Sequence, residues 1–275
     1  MLEQPYPPSG HFLRHLRIET DTTTPGGSVG RIPALPDLCA ADGTLHIGAI
    51  AAALDVTAGA LAIMSVHPDW TATTHLSIQT SAGAPAGGAV GLDCRVLRAG
   101  RTSVFACADL RAADGTAIGA ATIGFARLIR RDGNPTTAPD GGVTRLGDAE
   151  PDGPRPPLTE FLGLTDAPGG GVELVLTPRI ANSTGTIQGG VVASILERAA
   201  QAAAGPGRVA DLEVHYLAAG RIGPFRAIGD VVRRGDATSV VRIRLVDTGD
   251  RDKLLATGVA SVLAAGSPTL SSIVD

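Results

Sequence analysis

In the first half of the chain, apolar residues fall first on a helical period and then on a strand period. Ile47, Ile50, Ala51, Leu54, Ala58 and Leu61 recur at i, i+3, i+4, i+7, i+11 and i+14, which is the stripe of one helix face. The stripe is rich in alanine, so it predicts a lean helix that other elements can approach closely on several sides. Beyond it come alternating or continuous β-branched runs over His75 to Thr80, Ala89 to Leu97, Ser103 to Arg111 and Ala117 to Leu128, separated by glycine-containing turns. The second half gives Asp211 to Leu217, Phe225 to Arg233, Ser239 to Asp247 and Leu254 to Ala264, with an earlier strand at Gly171 to Thr177. The predicted unit is one long helix followed by a four-strand antiparallel meander.

That unit is written twice. Thr44-Leu45-His46-Ile47-Gly48 through Asp55 lies over Thr186-Ile187-Gln188-Gly189-Gly190 through Glu197 at a constant offset of 142 positions. Polar, glycine, apolar and acidic positions coincide. Downstream, Leu76-Ser77-Ile78 matches Leu212-Glu213-Val214, and Arg98-Ala99-Gly100 matches Arg233-Arg234-Gly235. Between the copies the chain turns to Asp, Gly, Pro and Thr without hydrophobic period, as in Arg131-Asp132-Gly133-Asn134-Pro135 and Pro151-Asp152-Gly153-Pro154. The expected division is a unit over 1–130, a linker over 131–156 and a second unit over 157–275. A lone sheet of this kind has two open edges, and joining two units through an edge strand closes one edge of each.

Composition narrows the functional classes. Apolar residues make up 44% of the 275 and aromatics 3%, so Ala, Val, Leu and Ile fill the interior, and 36 Gly and 19 Pro serve many turns. A formal charge of -4, with no basic cluster, argues against a nucleic-acid partner. No uninterrupted apolar run approaches the roughly 20 residues of a membrane span, and the opening Met1-Leu2-Glu3-Gln4-Pro5 does not read as a signal peptide. No membrane association is expected, and the cytoplasm is the default compartment. Cys39, Cys94 and Cys107 show neither disulfide nor zinc spacing and read as small core residues. His11, His15, His67, His75 and His215 share no ligand spacing, so no metal or other cofactor is expected.

The string Asn182-Ser183-Thr184-Gly185-Thr186-Ile187-Gln188-Gly189-Gly190, followed by Glu197 and by strands with Arg-x-Gly turns, resembles the PaaI-type acyl-CoA thioesterases of the hotdog fold. Their pattern reads Asn, Gly, His-Gly-Gly, then Asp or Glu on the central helix. Both copies resemble it. The resemblance implies an α+β double hotdog: two tandem units, each a long central helix wrapped by an antiparallel β-sheet, with the sheets pairing as in a hotdog dimer. It also implies a hydrolase acting on an acyl-CoA substrate, and it leaves room for homo-oligomers of the chain.

Thioester hydrolysis needs something to activate the carbonyl, together with a nucleophile or a general base for water. A helix N-terminus supplies the first through its free N–H groups and positive dipole end. Gly189 is the candidate donor. Glu197 lies eight residues further along the same helix, roughly 12 Å away at 1.5 Å per residue, and cannot serve the same carbonyl. An antiparallel neighbour helix brings its middle opposite this N-terminus, so each site should join the turn of one half to the acid of the other.

One site then combines Asn182, Gln188 and Gly189 with Asp55, and with Thr73 where the relatives carry a hydroxyl that orients the acid or its water. Gln188 stands in place of the family's usual His and cannot transfer protons near pH 7. The other site joins His46 and Ile47 to Glu197, but Ala40 replaces Asn182, Ile47 replaces the first Gly and Val209 replaces Thr73, so it is expected to be weak or dead. Arg98, Arg101, Arg233 and Arg234 are candidates for the coenzyme A phosphates. Asp55 is open to both the nucleophile and the general-base role.

Plainer readings stand beside these. Asp55 reads also as a helix-surface charge, Glu197 as half of an ion pair with Arg198, Gly189-Gly190 as turn punctuation and His46 as an ordinary residue at a helix start. Gly26-Gly27-Ser28-Val29-Gly30 matches the G-x-S-x-G nucleophile pattern but follows Thr-rich sequence and not a strand, which marks it as chance. The alternative function is a hotdog protein that binds acyl-CoA or a partner without turnover. A hotdog hydratase is less favoured, since no Asp and His share a loop.

Overall fold

The computed structural model describes residues 6–81, 87–130, 141–148 and 154–266. The first half runs α1 (Phe12–His15), β1 (Glu19–Asp21), β2 (Gly27–Pro33), α2 (Ile47–Val66), β3 (Trp70–Thr80), β4 (Ala89–Ala99), β5 (Ser103–Ala112) and β6 (Ala117–Leu128). After the short β7 (Val143–Arg145) come α3 (Leu158–Leu162), β8 (Thr165–Asp166), β9 (Val172–Leu174), α4 (Gly189–Ala204), β10 (Gly207–Tyr216), β11 (Phe225–Arg234), β12 (Thr238–Asp247) and β13 (Lys253–Ala264). All strands belong to one sheet in the order β7-β1-β2-β4-β5-β6-β3-β10-β13-β12-β11-β9-β8. Apart from β7, the order reads outward from the β3–β10 junction through equivalent strands of the two copies. At that junction Leu76 pairs with Val214 and His75 with His215, antiparallel. This is the double hotdog, its halves joined through an edge strand of each.

The chain departs from a four-strand meander in one respect. In each copy only three strands form one, β4, β5 and β6 in the first and β11, β12 and β13 in the second; β3 crosses to the far side of β6, where hydrogen bonds to β6 and β10 satisfy both its edges. β3 and β10 also begin earlier than the alternation indicates. Each carries a bulge, between Thr73 and His75 and between Val209 and Asp211, and an extra residue shifts the period-2 phase. In β3 this turns Thr73 toward the helix although His75 faces outward.

β2 escaped the sequence reading for a packing reason. Its inward positions include Ser28 and Gly30, and a Cβ on Gly30 would lie 2.3 Å from Thr57 Oγ1 on α2. Close approach of the helix demands small residues there, so no apolar alternation survives. Ser28 Oγ donates to Thr57 O at 3.0 Å in the interior, which disposes of the nucleophile pattern around it. Part of the expected linker is docked: β7 pairs with β1, and Arg155 Nε donates to Asp37 Oδ2 at 2.8 Å. The Arg131-to-Pro135 motif and Pro151-Asp152-Gly153 lie outside the described residues.

Inside the sheet α2 and α4 cross antiparallel on small side chains. A Cβ added to Gly48 would meet Ser194 Oγ at 2.5 Å and its Cα at 2.6 Å; one on Gly190 would meet the Ala52 Cβ at 2.3 Å. These contacts are repeat equivalents of each other. Helix α2 is 20 residues long and contains an 18-residue window of mean hydropathy 1.9, which corrects the expectation that no apolar segment reaches spanning length, but 72% of that window is buried inside the fold.

Gly48→Ala should therefore cost about 1–3 kcal/mol in urea unfolding, as overpacking of a tight core does. Gly59→Ala, on the same helix but with nothing nearer its Cβ than Phe125 Cε1 at 3.9 Å, should be neutral or stabilise by up to ~1 kcal/mol. Equal effects from the two would contradict the crossing geometry.

Candidate active site

The helix crossing places Asp55 opposite the first turn of α4. Gln188 caps that helix: its Oε1 accepts from Gly190 N at 2.5 Å and from Val191 N at 3.2 Å. With the carbonyl so engaged, the amide nitrogen faces the other way, and Nε2 donates to Asp55 Oδ2 at 3.1 Å. The other carboxylate oxygen, Oδ1, accepts from Thr73 Oγ1 at 2.5 Å. Thr73 reaches it only because of the bulge in β3. Asp55 Oδ2 also lies 3.1 Å from the place a Gly189 Cβ would occupy. Among the described residues Gly189 N–H has no acceptor, since the cap takes the two N–H groups after it.

Two tyrosines complete the surroundings, and the sequence reading missed both. Tyr216 Oη donates to Gly189 O at 3.1 Å, and its ring edge passes 3.7 Å from the Gly189 Cβ position. Its hydroxyl is held well above the ordinary phenol range by burial and by the Asp55 charge; the same two causes raise Tyr6. Tyr6 stands edge-on to His11, with ring centroids 5.1 Å apart, and His11 Nε2 lies 2.9 Å from Ala181 O beside the Asn182 turn. The chain has only two tyrosines, and both feel this one carboxylate. For Tyr216 a signal existed: it shares the inward phase of Leu212 and Val214 on β10.

Asp55 itself keeps partial contact with solvent, yet burial raises its pKa, and the Thr73 hydrogen bond only partly opposes the rise. Asn182 is not in this cluster. Its Oδ1 accepts from Thr184 N, Thr184 Oγ1 and Thr186 N, and its Nδ2 donates to Thr186 Oγ1, so the side chain builds the turn that delivers Gln188. In the first copy Asp42 does equivalent work, accepting from Thr44 N and Oγ1, which explains how Ala40 is tolerated.

At the pseudo-equivalent position the acid closes its own site. Glu197 is one methylene longer than Asp55 and reaches the N-terminus of α2, where Oε2 accepts from Gly48 N at 2.9 Å and Oε1 from Ile47 N at 3.3 Å. His46 Nδ1 lies 2.9 Å from Oε1. The N–H groups that would bind an oxyanion are already bonded to a carboxylate, Val209 offers no hydroxyl, and Leu158, Leu162 and Leu164 line the adjoining cleft. Burial opposes a charge on His46, but the Glu197 charge and hydrogen bond outweigh it and raise its pKa. The ion pair read between Glu197 and Arg198 does not form; Arg198 bonds Asp166 instead.

Two family models match the chain, one in each half. Residues 42–118 match the "Thioesterase superfamily" and residues 177–263 the "Acyl-CoA thioesterase N-terminal domain", together more than half of the sequence. The chain carries one thioesterase-family domain in each half. It is a thioester hydrolase of tandem construction, and its solved neighbours share that fold. An acyl-ACP thioesterase from Bacteroides thetaiotaomicron is 14% identical at a TM-score of 0.60, covering 86% of this chain and 98% of its own. The 12:0-ACP thioesterase from Umbellularia californica is 10% identical at 0.59, covering 86% and 93%. A putative oleoyl thioesterase from Lactobacillus plantarum is 10% identical at 0.58, covering 94% and 99%. No curated protein matches the sequence.

The four arginines do not gather at the thioesterase's Asp55 cluster. Arg98, Arg101 and Arg233 are exposed on the β4–β5 and β11–β12 hairpins, and Arg234 donates to Ala203 O and Ala204 O at the far end of α4. Of the cysteines, Cys94 is buried and its thiol is pushed up to about 12 by that burial, which removes it as a nucleophile.

The two acids should respond oppositely to neutralisation. Because folding raises the Asp55 pKa, its ionisation disfavours the folded state as pH rises above the ordinary carboxylate value of about 3.9. Asp55→Asn should thus be more stable than wild type at pH 7, with the gain shrinking as the pH is lowered toward 4. Glu197→Ala should lose about 1.5–3 kcal/mol at pH 7, the worth of hydrogen bonds to a charged group. Urea unfolding across pH checks both, and a destabilised Asp55→Asn would contradict the burial argument.

Proposed function

We propose that the chain is an acyl-CoA thioesterase of the PaaI-like type, with one working site built from Asp55 and Thr73 of the first half and Gln188 and Gly189 of the second. The free Gly189 N–H beside a held carboxylate carries the reading. The thioester carbonyl oxygen sits on that N–H at the positive end of α4, and the absence of a side chain lets the bulky group approach. Water on the Asp55 side attacks the carbonyl carbon while Asp55 takes its proton. The tetrahedral oxyanion collapses, the carbon–sulfur bond breaks, and the proton passes to the coenzyme A thiolate.

A general base works best with a pKa drawn toward the operating pH, and burial moves Asp55 in that direction. Gln188 does not transfer protons; it fixes the helix cap and Asp55 at once. Asn182 acts through the turn, and Glu197 with His46 and Ile47 is structural. The exposed hairpin arginines remain the candidates for the coenzyme A phosphates, and the cytoplasm the proposed compartment.

Acyl-CoA hydrolysis followed by free-thiol release should fall about 10²–10⁴-fold in kcat/KM for Asp55→Asn, the usual range for a lost general base. Glu197→Gln should retain activity within a few-fold. The wild-type rate should rise with pH through a pKa above the ordinary carboxylate range, and that limb should vanish in Asp55→Asn. Equal losses from both acids would overturn the one-site assignment, as would tight acyl-CoA binding with no thiol release.

A further inference from the structure

The seam between the two halves holds a second cluster of chemistry-bearing side chains, on the opposite face of the sheet from the helices. On β3, Leu76 and Ile78 point inward and are buried, so His75 lies on the outer face; on β10, Leu212 and Val214 are buried and Glu213 and His215 are exposed. Strand register makes His75 and His215 direct partners across the junction, and puts Glu213 opposite Ser77, one step along the same face. The rings stand with centroids 4.9 Å apart. Glu213 Oε1 lies 3.4 Å from His75 Nε2 and 3.0 Å from His215 Nε2, and the three donor atoms all fall within 4.8 Å of one another.

We propose that His75, Glu213 and His215 bind a divalent transition metal of borderline softness, with Zn²⁺ the first candidate. The geometry is that of a nearly formed tetrahedral face. With metal–ligand bonds of about 2.0–2.1 Å, tetrahedral ligand atoms stand about 3.3 Å apart. Two of the three edges already match, and closing the third needs only small side-chain rotations on a rigid two-strand ladder. Two imidazoles and one carboxylate select zinc, nickel or copper over magnesium or calcium, which prefer oxygen shells. Three protein ligands on an open face leave a fourth position for water.

The strand positions flanking the cluster hold Gly124 and Thr122 on β6 and Thr257 and Val259 on β13, with Arg242 and Arg244 on β12 one strand further out. Spacing along the chain hid the site, because His75 and His215 are 140 positions apart and meet only through the pairing of the two copies. The metal would grip both seam strands, and these also carry Thr73 and Tyr216 to the Asp55 cluster on the other face.

The test is titration of tag-free, chelator-treated protein with Zn²⁺ against a chromophoric indicator at pH 7.5. One equivalent per chain is expected. Affinity should drop tenfold or more in His75→Ala and in His215→Ala, less in Glu213→Gln, and stoichiometric binding should be lost in the His75→Ala/His215→Ala double variant. Zn²⁺ should raise the Tm of wild type and leave that of the double variant unchanged, because only a metal held across the seam stabilises the paired halves. Metal-free thioester hydrolysis by the double variant serves as the control that it is folded. Undiminished Zn²⁺ binding by the folded double variant, or no saturable binding by wild type, would overturn the proposal.

Discussion

The structure depends on how closely α2 and α4 cross. Gly48 against Ser194 and Gly190 against Ala52 let the two helix backbones approach to a distance that no larger side chain would permit. Antiparallel helices locked at two repeat-related points have a fixed register, and that register decides what lies opposite each helix N-terminus. Asp55 meets the start of α4, and Glu197 meets the start of α2. The sheet closes around the pair, joined at β3 and β10, and places Thr73 and Tyr216 where the helices need them.

From this nearly symmetric frame the sequence draws two unlike sites, and the difference comes down to side-chain reach. Glu197 is long enough to cap the opposing helix and takes up its first N–H groups. Asp55 is one methylene shorter, and Gln188 performs the capping from the helix's own N-cap position, which leaves Gly189 N–H free and the carboxylate in place. Gln188 is thus more than a hydrogen-bond donor to Asp55. It relieves the acid of the capping duty that Glu197 carries in the other copy. The Asp55 arrangement suits chemistry and the Glu197 arrangement suits stability.

Much of this was legible in the sequence because duplication and period speak directly about backbone. The offset of 142 aligned the two helix starts, and hydrogen bonds from Ala40 N to Thr44 O and from Asn182 N to Thr186 O repeat at that offset. The pairing of Asp55 with the Gln188-Gly189 turn followed from helix length, and Thr73 from the resemblance to relatives that carry a hydroxyl there. What stayed hidden obeys other constraints. The bulges at Thr73 and Val209 interrupt alternation, β2 is masked by the small residues that α2 requires, and Asn182 serves its own turn. Tyr6 arrives from a segment with no periodic signal, and the His75, Glu213 and His215 cluster exists only in cross-strand register.

The central claim is that two repeat-related clefts yield one binding site for the thioester. Calorimetric titration of the full chain with a non-hydrolysable thioether analogue of an acyl-CoA counts the sites directly. One equivalent per chain is expected, lost when Gly189→Val fills the space beside Asp55 and kept in Glu197→Gln. Two equivalents of similar affinity, or a single equivalent that survives Gly189→Val, would contradict it.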